Sequence, residues 1–158
     1  MVKKRKFILW FKDIRKEDVS FVGGKNASLG EMYHALEPKG IKIPNGFAIT
    51  AYAYQYFLKS NKLDKKIRMI LGGLRGHDVR ALARCGEEIR AIILGAEMPA
   101  DLAREIAAAY AKLSGDYGDK ATDVAVRSSA TAEDLPSASF AGQQETYLNV
   151  RGAENLVQ

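Results

Sequence analysis

Two groups of residues in this chain have the types and spacing to handle phosphate. The first is Gly23, Gly24 and Lys25, within VGGKNASLGEM. Glycines at a helix entrance let backbone amides approach a phosphate, the helix N-terminus adds partial positive charge, and a lysine supplies a point charge to the oxygens. A Gly-Gly-Lys turn is also a common way into a helix, so the triplet alone leaves both readings open. The second group begins at Arg127, the end of an otherwise apolar strand pattern, and continues through Ser128, Ser129, Thr131, Ser139, Gly142, Gln143 and Gln144. A strand-end guanidinium can fork onto two phosphate oxygens while hydroxyls and bare amides take the rest. Polar loops of about fifteen residues in compact domains are usually functional or disordered. The competing reading is a solvated loop whose arginine pairs with Glu133 or Asp134, and residue chemistry does not decide between the two.

Other site types are missing from the pattern. There is no GxxxxGK[ST] or GxGxxG stretch and no Cys/His cluster at metal-ligand spacing. His34 and His77 lack an acidic orienting partner nearby and read as surface or packing residues. The single cysteine, Cys85, falls in a helical pattern and reads as a small hydrophobe in a reducing compartment. The 24 Lys and Arg against 19 Asp and Glu give +5. Most basic residues are interleaved with acidic ones on helix faces, which argues against nucleic-acid binding and suits a small anionic ligand. No apolar run approaches the roughly 20 residues that cross a bilayer, and the opening MVKKRKFILWF lacks a signal-peptide cleavage pattern. The chain reads as cytoplasmic, with no membrane partner.

The elements that must hold these residues follow from periodicity. Phe7 to Phe11 reads as a buried strand, so Gly23 to Lys25 should stand between a strand and a helix. Leu29, Met32, Tyr33 and Leu36 fall on one helix face. Ser28 and Glu31 have capping-box spacing, and an earlier helix start would place Lys25 in the first turn. Pro44, Asn45 and Gly46 make a turn before a short strand, and Thr50 is a cap for a helix over Ala51 to Ser60 whose four aromatics should pack deeply. From about 62 to 114 the chain reads as a helical insert with three apolar stripes, each expected to be core: Leu63, Ile67, Ile70 and Leu71; then Val79, Leu82, Ile89, Ile92 and Ile93; then Leu102, Ile106, Tyr110 and Leu113. Val124 to Ser128 alternates as a strand, with Val124 and Val126 on one face and Ala125 and Arg127 on the other. Gln144 to Val150 alternates again, either as a hairpin partner or as a neighbouring strand beyond a long loop. The last nine residues begin a helix, and an expectation follows that the 158 residues are one partial domain, a truncation or fragment of something longer. With 47% apolar and 27% charged residues the composition is that of an ordinary globular domain.

The segments VGGKNASLGEM, IPNGFAIT and VRSSATAEDLPSASFAGQQETYLNV together resemble, in order and approximate spacing, the phosphoenolpyruvate synthases, pyruvate, water dikinases. The wider group includes pyruvate phosphate dikinase and rifampin phosphotransferase, and the NASLGEM and PNGFAIT wording is nearer the synthases. The resemblance is weak from Asp64 to Gly118. It implies an α+β fold, the N-terminal lobe of an ATP-grasp nucleotide-binding domain. It also implies ATP and magnesium as cofactors, pyruvate as the parent enzyme's substrate and a homo-oligomeric parent. By the family's pattern Lys25 and Arg127 would contact ATP phosphates, and Gly142 and Thr146 would line the nucleotide site. Gly23, Gly24, Ser128, Gln143 and Gln144 would neighbour it. The phosphohistidine domain and the magnesium ligands would lie outside these residues, so no catalytic residue and no metal ligand is expected here. The alternatives are a rifampin phosphotransferase-like relative and a free-standing, non-catalytic nucleotide-binding module.

Overall fold

Isoleucine, phenylalanine and tryptophan in the opening apolar run favour extended backbone, and Ile8–Trp10 forms strand β1. It ends one residue earlier than the apolar run, because Phe11 turns into a 3₁₀ helix over Phe11–Asp13. The computed structural model describes residues 5–74, 78–131, 134–135, 138–139 and 145–157, with backbone alone at 134–135 and 138–139. A second 3₁₀ turn, Lys16–Asp18, leads into helix α1 over Val19–Leu36. After a turn at Glu37–Lys39 come strand β2 (Phe47–Ile49) and helices α2 (Ala51–Ser60), α3 (Leu63–Gly72), α4 (Val79–Leu94) and α5 (Ala100–Asp116). Strand β3 (Val124–Arg127), the two-residue strands β4 (Asp134–Leu135) and β5 (Ala138–Ser139), strand β6 (Thr146–Val150) and helix α6 (Ala153–Val157) complete a mixed α+β chain.

The chain divides into two compact units, Met1–Ala53 with Ala100–Gln158, and Tyr54–Pro99. In the first, β1 and β2 pair antiparallel with Leu9 opposite Ala48 and Trp10 opposite Phe47. The ladder is extended by Phe11 N–H to the Gly46 carbonyl (3.0 Å) and Thr50 N–H to the Phe7 carbonyl (2.9 Å). Leu9, Ile14, Val22, Ala27 and Ala48 form a buried cluster, with Phe11 and Phe21 packed against it. Each large apolar side chain buried this way stabilises the fold by about 1.5–3 kcal/mol. Thr50 caps α2 as its position in the sequence implies, accepting from Ala53 N–H (3.2 Å) while its hydroxyl donates to the Lys6 carbonyl (2.6 Å).

Helix α1 approaches Ile14 closely because it presents Ala27 and Gly30 there. A Cβ on Gly30 would stand 2.6 Å from the Ile14 carbonyl oxygen and 2.8 Å from its Cγ2. Gly30→Ala should therefore lower stability by about 2 kcal/mol, overpacking outweighing alanine's helix propensity. A shift of the urea midpoint at unchanged slope checks this, and an unshifted midpoint would show that the contact yields freely. Glu31 does not cap a helix start. It lies inside α1, and its carboxylate accepts from Lys16 N–H (3.0 Å), fixing the turn before the helix.

The third apolar stripe is core, as its spacing implies: Leu102, Ile106, Tyr110 and Leu113 of α5 are all buried. The other expectations of burial need correction. Of α2 only Ala53 is buried, and Tyr54 is 52% exposed. In the second unit α3 and α4 pack on each other, and the Cys85 thiol, half-buried, donates to the Ile70 carbonyl (3.7 Å). There Leu63 is buried, but no residue of α4 is, and Val79 is 76% exposed. So small a unit, Tyr54–Pro99, has too little interior to bury both stripes fully, so amphipathic spacing marks the facing side without guaranteeing depth. Among the described residues no helix is long and apolar enough to cross a membrane.

Candidate functional site

The first phosphate-type group does not follow a strand directly. Two 3₁₀ turns and a first helical turn separate it from β1, and Gly23 breaks α1 with φ 80° and ψ 165°. That region of backbone space is essentially restricted to glycine. The helix resumes at Gly24, so Lys25 occupies the first turn of the continuing segment, half-buried and already engaged with a neighbour. The helix N-terminus that the sequence implied is therefore present, produced by a kink rather than by a strand-to-helix turn.

The second group is set by strand pairing. β3 and β6 run antiparallel with Val124 opposite Val150, Val126 opposite Tyr147 and Arg127 opposite Thr146, with a register shift between Val124 and Val126. Arg127 and Thr146, singled out separately in the sequence, are thus direct cross-strand partners. The pair is two neighbouring strands around a long loop, and part of that loop folds into the small β4–β5 ribbon. Val124 and Val126 are half-buried and Ala125 and Arg127 exposed, which matches the alternation of the sequence. At the opposite end the pair is rooted on α5. The Tyr110 hydroxyl donates to the Thr122 carbonyl (2.6 Å) and accepts from Gly152 N–H (2.8 Å), while Ser114 Oγ accepts from Thr122 N–H (3.1 Å). Near the site end, Tyr147 donates to the Glu145 carboxylate, and that hydrogen bond holds its phenol above the usual tyrosine range.

The two groups meet. A Cβ built on Gly23 would lie 2.2 Å from Ser129 Oγ and 2.8 Å from the Ala130 carbonyl oxygen, so the hydroxyl occupies the space that any other residue at 23 would fill. Gly24 N–H donates to that same carbonyl at 3.4 Å. Ser129 Oγ is buried and has no hydrogen-bond partner among the described residues. A desolvated, unpaired hydroxyl costs about 1–3 kcal/mol. Ser129 belongs to the second phosphate-type group of the sequence but was not among the residues that the resemblance assigned to the nucleotide site, and only a contact distant in sequence sets it apart from the other hydroxyls there. Ser128 is exposed and engaged with a neighbour, and Gly142, Gln143, Gln144, Glu133 and His77 lie outside the described residues. Among the described residues no group of three or more His, Cys, Asp or Glu could hold a metal ion.

Residues 19–158 match the family model described as pyruvate phosphate dikinase, AMP/ATP-binding domain. The chain belongs to this family. Its relatives include the phosphoenolpyruvate synthase of Aquifex aeolicus, 56% identical over 98% of this chain and 18% of the relative. That of Neisseria meningitidis is 53% identical over 95% of this chain and 19% of the relative. The probable phosphoenolpyruvate synthase of Methanocaldococcus jannaschii is 52% identical over 97% of this chain and 12% of the relative. The resemblance first carried by three motifs therefore extends through the helical middle as well. The chain spans less than a fifth of the length of these curated relatives. Within an AMP/ATP-binding family, a contact between a lysine-bearing helix entrance and an arginine-bearing strand end is an arrangement suited to phosphate.

Proposed function

We propose that this chain is the ATP-binding portion of a phosphoenolpyruvate synthase and forms the N-terminal lobe of an ATP-grasp module. In the whole enzyme pyruvate, ATP and water would become phosphoenolpyruvate, AMP and phosphate, through a phosphohistidine carried on a domain outside these residues. Lys25 and Arg127 would hold the ATP phosphates as a cationic clamp. Thr146, directly across from Arg127, would line the site with Gly23, Gly24 and Ser128. Gly142, Gln143 and Gln144 would complete the lining. Magnesium would enter with the phosphates and neutralise their charge, while the chain's own residues bind and orient the phosphate oxygens. The single observation carrying this reading is the docking of Gly23 and Gly24 on Ser129 and Ala130, which brings the Lys25 helix entrance to the loop leaving Arg127.

Titration of the isotope-labelled chain with ATP, followed by amide NMR, tests the reading even at weak affinity. The expected result is saturable shifts at Gly24, Lys25, Arg127, Ser128 and Thr146. Saturable shifts confined to other residues, or none at millimolar ATP, would overturn it.

A further inference from the structure

The contact that joins the two phosphate-type groups is weaker than its position calls for. Gly24 N–H reaches the Ala130 carbonyl at 3.4 Å, beyond the usual range for such a bond. Beside it Ser129 Oγ is buried with no partner among the described residues. Folded proteins pair nearly all their buried polar groups, and an alanine at 129 would leave no stranded hydroxyl over Gly23. The hydroxyl thus weakens the closed contact, and its use lies in another state of the same site. Parting Gly24 from Ala130 frees two donors, the Gly24 amide and the Ser129 hydroxyl. They stand at the N-terminus of the helical segment that carries Lys25, with Arg127 two residues before Ser129. Amide, hydroxyl, ammonium and guanidinium form a donor set that suits an anion with several oxygens.

We infer that Ser129 is a phosphate ligand held in reserve. A polyphosphate displaces the Ala130 carbonyl from Gly24 N–H and takes the Ser129 hydroxyl as a further donor, so the clasp over Gly23 opens when phosphate binds. The inference rests on the phosphate-binding reading above and adds to it a residue and a movement.

Ser129→Ala in the full 158-residue chain separates the two. Dissociation constants for inorganic tripolyphosphate and for ATP should both rise about tenfold, the loss of one hydrogen bond to a charged group. The melting temperature should stay level or rise, since a buried unpaired hydroxyl has been removed. In the unaltered chain, tripolyphosphate should slow exchange at Gly24, because a phosphate oxygen takes the amide proton in place of the long Ala130 contact, and faster exchange would overturn the donor role of that amide. Unchanged Gly24 exchange under saturating tripolyphosphate would count against the opening. A Ser129→Ala chain that binds both probes as tightly as the unaltered one overturns the inference, while weakened binding by Arg127→Ala would leave the function standing. A lowered melting temperature or failure to fold also overturns it, because the hydroxyl would then serve the closed state. An effect on ATP but not on tripolyphosphate would place Ser129 near the nucleoside and likewise overturn it. If the unaltered chain binds neither probe, both readings fall together.

Discussion

Gly23→Ala is expected to lower the stability of the chain by about 3–5 kcal/mol, from two costs that add. The first is conformational. Gly23 sits at φ 80° and ψ 165°, where an L-residue loses on the order of 1–3 kcal/mol. The second is steric. The new methyl would meet Ser129 Oγ at 2.2 Å, the Ala130 carbonyl oxygen at 2.8 Å and the Ser129 carbonyl carbon at 2.9 Å. A flexible side-chain tip could turn aside, but two of these three atoms are backbone, so the loop itself must move. Urea denaturation reads the stability loss, and disappearance of the Gly24–Ala130 proximity in NMR reads the displacement. A loss under 1 kcal/mol with that proximity intact would show that the kink tolerates a side chain and that the close packing is incidental. At Gly40, in the left-handed helical region at φ 76° and ψ 9°, a Cβ would have open space, so the same substitution there should cost less than at Gly23, with no steric part and a milder backbone strain.

Arg127→Ala is expected to weaken ATP binding by about thirtyfold, close to 2 kcal/mol, while leaving stability within about 0.5 kcal/mol. The contrast follows from position. Arg127 ends β3 with its side chain exposed, so its truncation opens no cavity and breaks no buried network. A guanidinium forked on phosphate is nevertheless worth about 1.5–3 kcal/mol, and lysine in its place would recover only part because it lacks the planar fork. Calorimetric titration with ATP, paired with a melting curve, makes both measurements. Binding equal to the unaltered chain would remove Arg127 from the clamp, whereas a collapse in stability would make it a structural residue.

How much of this was legible in the sequence depended on whether the cause was local. Thr50 as a cap, the short strand β2, the bounds of α2 and the two faces of β3 were readable, because each is set by residues within a few positions of one another. The third apolar stripe proved to be core for the same reason, since α5 buries one face along its length. The depth of α2 and of the stripe on α4 was not legible. Aromatic content and helical period say which side turns inward, whereas burial depends on how many layers cover it. Nor was the origin of the helix entrance at Gly24. Two glycines suggested a turn between strand and helix, and only backbone dihedrals distinguish that from a kink. Arg127 and Thr146 were each singled out, but that they face each other is a matter of strand register across a long loop. Ser129 shows the limit most clearly, as one of several hydroxyls in its loop and the one that lies over Gly23.

The rooting of β3 and β6 on α5 gives the strand pair the mechanics of a cantilever. Tyr110, only 3% exposed, ties the Thr122 carbonyl and the Gly152 amide to the interior at one end, while Arg127 and Thr146 stand at the other. Bending a beam clamped at its base costs least at the tip. On the proposed reading, the arginine-bearing end would follow a bound phosphate once the contact of Ala130 with Gly24 parts, while the base stays in register with the α5 core, so that adjustment at the tip need not unsettle the packing that supports it.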